Sequence, residues 1–444
     1  MGATRDLAQF VIETGYHDLP PDVVQATKRC LVNVIAVALH AAGDPALEIL
    51  LSTFAGEGGH ARATVWGTRT RATLQQAALA NGFLAHLDDF DDTHFPTVLH
   101  PSAPTAPAAV AVAEAQRATG QDVLVAVALG IEVCCRVARA VHPWHYDAGW
   151  HITGTAGVFG AAAAAGRLLG LDTASMVACF GVAGTQAAGV REVFGTMTKA
   201  LHAGRAAQSG LLAALLASRG FTSAETILEG RRGFGAVLSG QHDFARATDG
   251  LGHRWEIMNN GLKPYACGVV CHPLIDACRA LRAQVGVWPD AASTVEAIEA
   301  RVHPLVLELV DRPEIQTGLD GKFSAQHCLA VALVDGEAGP AQFADARAGD
   351  PLLAALRQRV RLTRDERLME DEAVVRLALR SGRVAEQHVA HASGSPANPL
   401  TDEQLNQKFR SLANRVLSGA RGEALLSALW RLDELDRLPD LLRS

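Results

Sequence analysis

The residues most able to do chemistry lie together early in the chain. His86 to Pro101 reads H-L-D-D-F-D-D-T-H-F-P-T-V-L-H-P, with four carboxylates, three histidines and two threonines in sixteen residues. It follows an alanine-rich apolar run, Thr73 to Leu84, that reads as a buried helix. Ionisable groups at the end of such a helix are costly to bury without partners. They must face solvent or a polar pocket, and we read a pocket. Asp89, Asp92 and Thr93 are three to four residues apart, so a helical turn would put them on one face.

Other candidates are spread along the chain. His100 precedes a proline, His151 sits in G-W-H-I-T-G-T, and His327 sits in K-F-S-A-Q-H. Histidine is the usual general acid or base near neutral pH. Zinc sites favour tight pairs such as H-E-x-x-H, and none is present. Cys267-x-x-x-Cys271-His272 is the nearest metal-like cluster, but it lacks a second pair and reads as a packed helix start. The positive charge is nearly all arginine. The lysines are Lys28, Lys199, Lys263, Lys322 and Lys408. Lys199 falls in G-T-M-T-K-A-L-H-A-G-R-A-A at a helix start, where a carboxylate would be attracted. Lys263 falls in G-L-K-P-Y-A-C, where the pattern of the chain changes. Asp88-Asp89-Phe90-Asp91-Asp92 also matches D-D-x-x-D, the magnesium–diphosphate motif of all-helical terpenoid synthases. No second motif of the N-D-x-x-S-x-x-x-E kind follows, and aromatics are only 5% of the chain. A metal-dependent terpenoid enzyme therefore stands as an alternative of a different class, and a non-catalytic helical scaffold as another.

Elements must position these groups. The chain has 444 residues, more than one ordinary core, and a net charge of −7. No basic footprint suggests nucleic acid. Alanine and leucine favour packed helices. Eight scattered cysteines and no basic-then-apolar start suggest a reducing cytoplasm. The apolar run Val123 to Val141 carries Glu132, Arg136 and Arg139, so no membrane span is expected there. Helices are expected from Pro21 to Ala41, after Pro45, and over 72–88, 104–118, 122–140, 154–169, 174–187 and 201–219. Thr222 and Glu225 suggest a capping box, and Ala63 to Gly67 a short strand. The glycines of G-T-A-G-V-F-G do not have dinucleotide-fingerprint spacing. Beyond Lys263 strand patterns appear, at Val360–Thr363, Ala373–Leu379 and Val384–Val389, with Ser381-Gly382 as a hairpin turn. Thr401 caps a final helical return. The fold class is mainly α: a helical body, an inserted α/β part, and a helical return whose attachment periodicity leaves open.

Taken in order, D-F-D-D-T with H-P-S, G-W-H-I-T-G-T-A-G, T-K-A-L-H-A-G-R-A-A, K-P-Y and K-F-S-A-Q-H resemble the MmgE/PrpD family over nearly the whole chain. This family includes 2-methylcitrate dehydratase, cis-aconitate decarboxylase and iminodisuccinate epimerase. The resemblance implies a helical domain from both chain ends, residues 1–258 and 398–444, and an inserted α/β lid, 259–397, whose closure would assemble the site. It implies a homodimer that acts on a small polycarboxylate with no metal or organic cofactor. It matches Asp89 and Thr93 to the D-F-D-D-T positions, His100 and His151 to proton-handling histidines, and Lys199 and Lys263 to carboxylate-facing lysines. His327 falls where the decarboxylase pattern has a tyrosine and would be a second acid. In this reading Asp89 orients the imidazole base and Thr93 binds substrate. The shared chemistry is proton removal next to a carboxylate. A hydro-lyase of the 2-methylcitrate dehydratase kind is the first expectation, with epimerase and cis-aconitate decarboxylase as alternatives.

Overall fold

The computed structural model describes residues 2–286, 291–438 and 442–443. They divide into two compact units. The first comprises Met1–Leu87, Asp91–Gly261 and Thr401–Ser444, and the second Asp88–Phe90 and Leu262–Leu400.

The first unit is a helical body. Its long helices are Pro21–Ala41, Leu74–Leu87, Ser102–Gln116, Gly120–Val141, Gly157–Leu168, Thr173–Gly184 and Met197–Ala217. Most start where the sequence supplies a cap. Thr119 and Asp122 form a reciprocal capping box, and the Asp172 carboxylate accepts from Ser175 N–H. The helix Pro21–Ala41 is long and apolar enough to cross a membrane, yet 78% of its apolar window is buried inside the protein. It is a core helix. The C-terminal helix Asp402–Ala413 packs against it, with Lys408 Nζ donating to Asn33 Oδ1 at 2.7 Å and Lys28 pairing with Asp433 at 2.5 Å. The helical return therefore belongs to this unit, a point that periodicity left open.

Small residues set how closely these helices approach. Met197–Ala217 crosses Leu74–Leu87 at Gly204 and Gly82. A Cβ on Gly204 would lie 2.4 Å from the Leu79 carbonyl oxygen, and one on Gly82 would lie 2.9 Å from Gly204 Cα. Backbone meets backbone at this crossing, so neither position has room for a side chain. His86 is one turn beyond Gly82, on the same face. The crossing thus sets where that imidazole stands.

The second unit is α/β. Its sheet has the order Val360–Arg364, Val295–Val302, Ala373–Leu379, Val384–Val389. The first pair is parallel and the others antiparallel. The helix His272–Val285 packs on the last two strands and against the helix Ala325–Val334. Both helices carry apolar faces into this core. The hairpin at Ser381-Gly382 forms as its residue types require, with Gly382 at a φ of 83°.

Two local expectations do not hold. No helix follows Thr222 and Glu225: residues 221–224 have no regular structure and 225–232 form turns and a bend. Glu229, four residues on, instead accepts from the Thr4 backbone and hydroxyl at 3.2 and 2.5 Å, so a tertiary tie overrides the local cap. The acidic stretch is also not helical past Leu87, since Asp92–His94 is a strand. Asp89 has a φ of 52° and turns the chain. Asp89, Asp92 and Thr93 therefore do not share a helical face.

The helix crossing makes a testable claim. Gly204→Ala should overpack a backbone contact and cost about 1–3 kcal/mol. Thermal unfolding should show a Tm lower by roughly 2–4 °C for each kcal/mol, whereas an unchanged Tm would mean that the helices are not held this close.

Candidate active site

In the first unit, the end of one helix, the following strand and two loops bring imidazoles together. His86 occupies the last turn of Leu74–Leu87, and its Nδ1 lies 2.9 Å from the Asp91 carboxylate, with both side chains fully buried. His100 follows the loop after the Asp92–His94 strand. Its Nδ1 is 2.8 Å from the Asp92 carbonyl oxygen, 3.5 Å from Asp91 Oδ1 and 3.4 Å from Thr93 Oγ1. The loop is held by His94 N–H donating to Leu99 O at 2.7 Å, and it forces Val98 to a φ of 52°. A β-branched residue there is strained, which fits a loop shaped by the groups it carries.

His151 comes from the other side. Its backbone N–H donates to Gly189 O at 3.0 Å, and its Nδ1 lies 3.0 Å from His202 Nδ1. Gly189, with a φ of 128°, has no Cβ, and one would sit 3.0 Å from the His202 ring. The rings run in a series. His86 to His100 is 4.6 Å between centroids, His86 to His151 is 5.6 Å and stacked, and His151 to His202 is 5.2 Å. Phe194 meets His151 edge-on at 5.0 Å, and Lys199 Nζ lies 5.4 Å from the centre of the Phe194 ring. Lys199 is buried, at the start of the helix that Thr196 caps.

These contacts fix protons. A carbonyl oxygen can only accept, so the bond to Asp92 O requires His100 Nδ1 to donate. In the neutral ring Nε2 then carries the lone pair. Burial, then the positive character of His86 and Lys199, holds His151 well below the ordinary imidazole range. The same causes bring His202 down to about 4. Both rings are therefore neutral near pH 7. Asp92 differs: burial and then the neighbouring Asp91 charge push it up to about 7, although the Ser102 hydroxyl donates to it at 2.6 Å and Asn260 Nδ2 at 2.5 Å. The arrangement can take or give a proton at His100 Nε2 and hold an anion beside Lys199.

The second unit places the remaining expected residues. Lys263 Nζ is 3.1 Å from Asp89 Oδ1 and 3.0 Å from Asp89 O, with both side chains buried. Lys322 holds Asp88 in the same manner, at 2.6 Å to its carbonyl and 3.1 Å to its carboxylate. His327 donates from Nε2 to Gln342 O at 3.0 Å, and its Nδ1 faces Arg357 Nη1 at 3.4 Å. Burial brings it down to about 4, so both nitrogens of a neutral ring are engaged within the unit. Asp89 pairs with Lys263, and within the first unit Asp91 meets the His86 and His100 rings.

Residues 5–247 match the MmgE/PrpD N-terminal domain and residues 265–433 the MmgE/PrpD C-terminal domain. The chain belongs to the MmgE/PrpD family. Among its relatives are a cis-aconitate decarboxylase-like protein of Aspergillus oryzae, 27% identical over 99% of this chain and 96% of the relative. The cis-aconitate decarboxylase of Aspergillus terreus is 26% identical over 99% and 95%, and that of Mus musculus 26% over 99% and 92%.

Within this MmgE/PrpD chain, sequence reasoning brought His100, Thr93, His151 and Lys199 forward, and the structure gathers them in one unit. It missed His86, Asp91 and His202 as site groups. His202 had a signal: it lies three residues after Lys199, one helical turn on. Asp91 had none, because only the turn at Asp89 decides which acidic side chain points inward.

The buried imidazoles make stability depend on pH. His202, His145 and His327 are each brought to about 4 by burial, below the unfolded value near 6.5. The unfolded chain then binds more protons, so stability present above pH 6.5 is lost as pH falls toward 4. Asp92 acts oppositely, its contribution fading as pH rises toward 7. The Tm should drop between pH 7 and pH 5, and the drop should be smaller in His202→Gln. An equal drop in the two proteins would contradict a neutral, half-buried His202.

Proposed function

We propose that this MmgE/PrpD protein is a lyase. It would act on a small polycarboxylate through proton transfer at a carbon next to a carboxylate, with decarboxylation of a cis-aconitate-type tricarboxylate as the first reaction to test. The observation that carries the reading is the buried imidazole series beside Lys199, with the His100 lone pair directed to Nε2 by the Asp92 carbonyl. The relatives named as cis-aconitate decarboxylases support decarboxylation over the dehydration that the sequence alone placed first. Dehydration of a 2-methylcitrate-like substrate stays as a second reading, because His327 stands where the decarboxylase pattern has a tyrosine.

In the proposed reaction Lys199 anchors a substrate carboxylate, and its charge offsets the negative charge that builds on the substrate, an electrostatic effect typically worth about 3–4 kcal/mol. As the bond to the departing carboxylate breaks, its electron pair passes into an allylic carbanion, and carbon dioxide leaves. A histidinium supplies the proton to carbon, so each turnover consumes one proton. His100, once it has taken a proton at Nε2, is the assigned donor, and His151 with His202 returns that proton from solvent. Thr93, against His100, is assigned to substrate binding.

The test is incubation with cis-aconitate, 2-methylcitrate and an iminodisuccinate stereoisomer in D2O, followed by proton NMR. A new terminal alkene with loss of carbon dioxide is expected. A new alkene without such loss would establish dehydration instead. Deuterium exchange with inversion and no alkene would sink the lyase reading, and inertness toward all three would sink the substrate class. His100→Gln should lower kcat by about 10²–10⁴-fold, while Lys199→Ala should also raise KM. Wild-type rates in both variants would remove these residues from the reaction.

A further inference from the structure

His86, Asp91 and His100 come from a helix end, a turn and a loop, and none forms a motif with another along the chain. The fold nevertheless brings a ligand-type atom from each to within 4.8 Å of the others. Asp91 lies between the two rings, 2.9 Å from His86 Nδ1 and 3.5 Å from His100 Nδ1. All three are buried. Two imidazoles and one carboxylate are the donor set of a borderline divalent transition metal such as zinc. Magnesium and calcium require oxygen donors throughout and are poorly matched.

We propose that a divalent transition-metal ion of the zinc class binds at His86, Asp91 and His100 and inhibits the protein. Zinc–ligand bonds of about 2.0–2.1 Å place tetrahedral ligands roughly 3.4 Å apart. Small ring rotations about the shared carboxylate would close the present spacing. Binding at His100 Nδ1 replaces its bond to the Asp92 carbonyl and moves the ring proton to Nε2, and the ion displaces the His86–Asp91 contact. The ring then no longer cycles a proton at Nε2, and proton transfer stops. These three side chains of the first unit supply three ligands, and a chelator can remove the ion. Binding itself rests only on the ligand geometry, whereas inhibition rests on the proposed reaction.

The experiment uses the full chain, treated with EDTA and then dialysed free of it. Zinc is titrated in competition with a chromogenic chelator, and magnesium in parallel. One zinc per chain is expected, at least tenfold weaker binding in His86→Gln and in His100→Gln, and no magnesium binding. Cobalt(II) in place of zinc should show d–d bands without a thiolate charge-transfer band, which separates this site from the buried cysteines. Equal zinc binding by wild type and both variants, a thiolate band, or no stoichiometric binding would overturn the site. Circular dichroism of the variants guards against misfolding, with Asp91→Asn as a further variant. Turnover of a carboxylate substrate should fall at least tenfold with one equivalent of zinc and return with EDTA. Zinc bound with undiminished turnover would overturn the inhibition alone, and zinc bound by a protein inert toward every carboxylate would instead count against the proposed reaction.

Discussion

The burial of the Asp91 carboxylate between two imidazoles is the constraint on which the helical unit's chemistry depends. A carboxylate removed from water without partners costs many kcal/mol, so its neighbours must be in place whenever the unit is folded. His86 and His100 meet that need. Asp92, next in the chain, is separated into its own shell of Ser102 and Asn260 donors. Two adjacent carboxyl groups thus face different surroundings. One serves the rings, while the other is pushed toward neutrality by burial and by its neighbour's charge.

That constraint reaches into the scaffold. His86 is placed by a helix that can approach its neighbour only through Gly82 and Gly204, and the neighbouring helix carries Lys199 and His202. The lysines follow the same logic. All five are buried. Lys28 and Lys408 tie the C-terminal return to the core helix, and Lys263 and Lys322 hold the Asp88–Asp89 turn within the second unit. Lys199 stands over an aromatic face beside the imidazoles. In a chain that uses arginine almost everywhere else, a lysine marks a place where a compact ammonium fits inside the protein.

Much of the architecture was legible in the sequence because it rests on local signals. The helix start at Pro21, the change to strands after Lys263 and the turn at Ser381-Gly382 all follow from residue type. The acidic stretch was read as turning its ionisable groups away from solvent, and Asp89, Asp91 and Asp92 are buried, but the helical turn expected through it does not form. Its geometry is set by a left-handed turn at Asp89, and aspartate tolerates that conformation without announcing it. The pairing of His86 with Asp91, five residues apart, depends on the turn at Asp89, and that of His151 with His202 on segments 51 residues apart meeting in space. No periodicity reports such meetings. The absent Thr222 cap shows the same limit from the other side, where a contact from Thr4 to Glu229 decides the local structure.

The central claim is that His151 and His202 are held neutral and that His100 donates from Nδ1 to the Asp92 carbonyl. Long-range proton–nitrogen correlation spectra of metal-free, histidine-labelled protein test it directly, with each signal assigned by single substitution. The account predicts that at pH 7 His100 Nδ1 carries a proton and that His151 is neutral. An imidazolium at His151 at pH 7, or a His100 protonated at Nε2 alone, would contradict it.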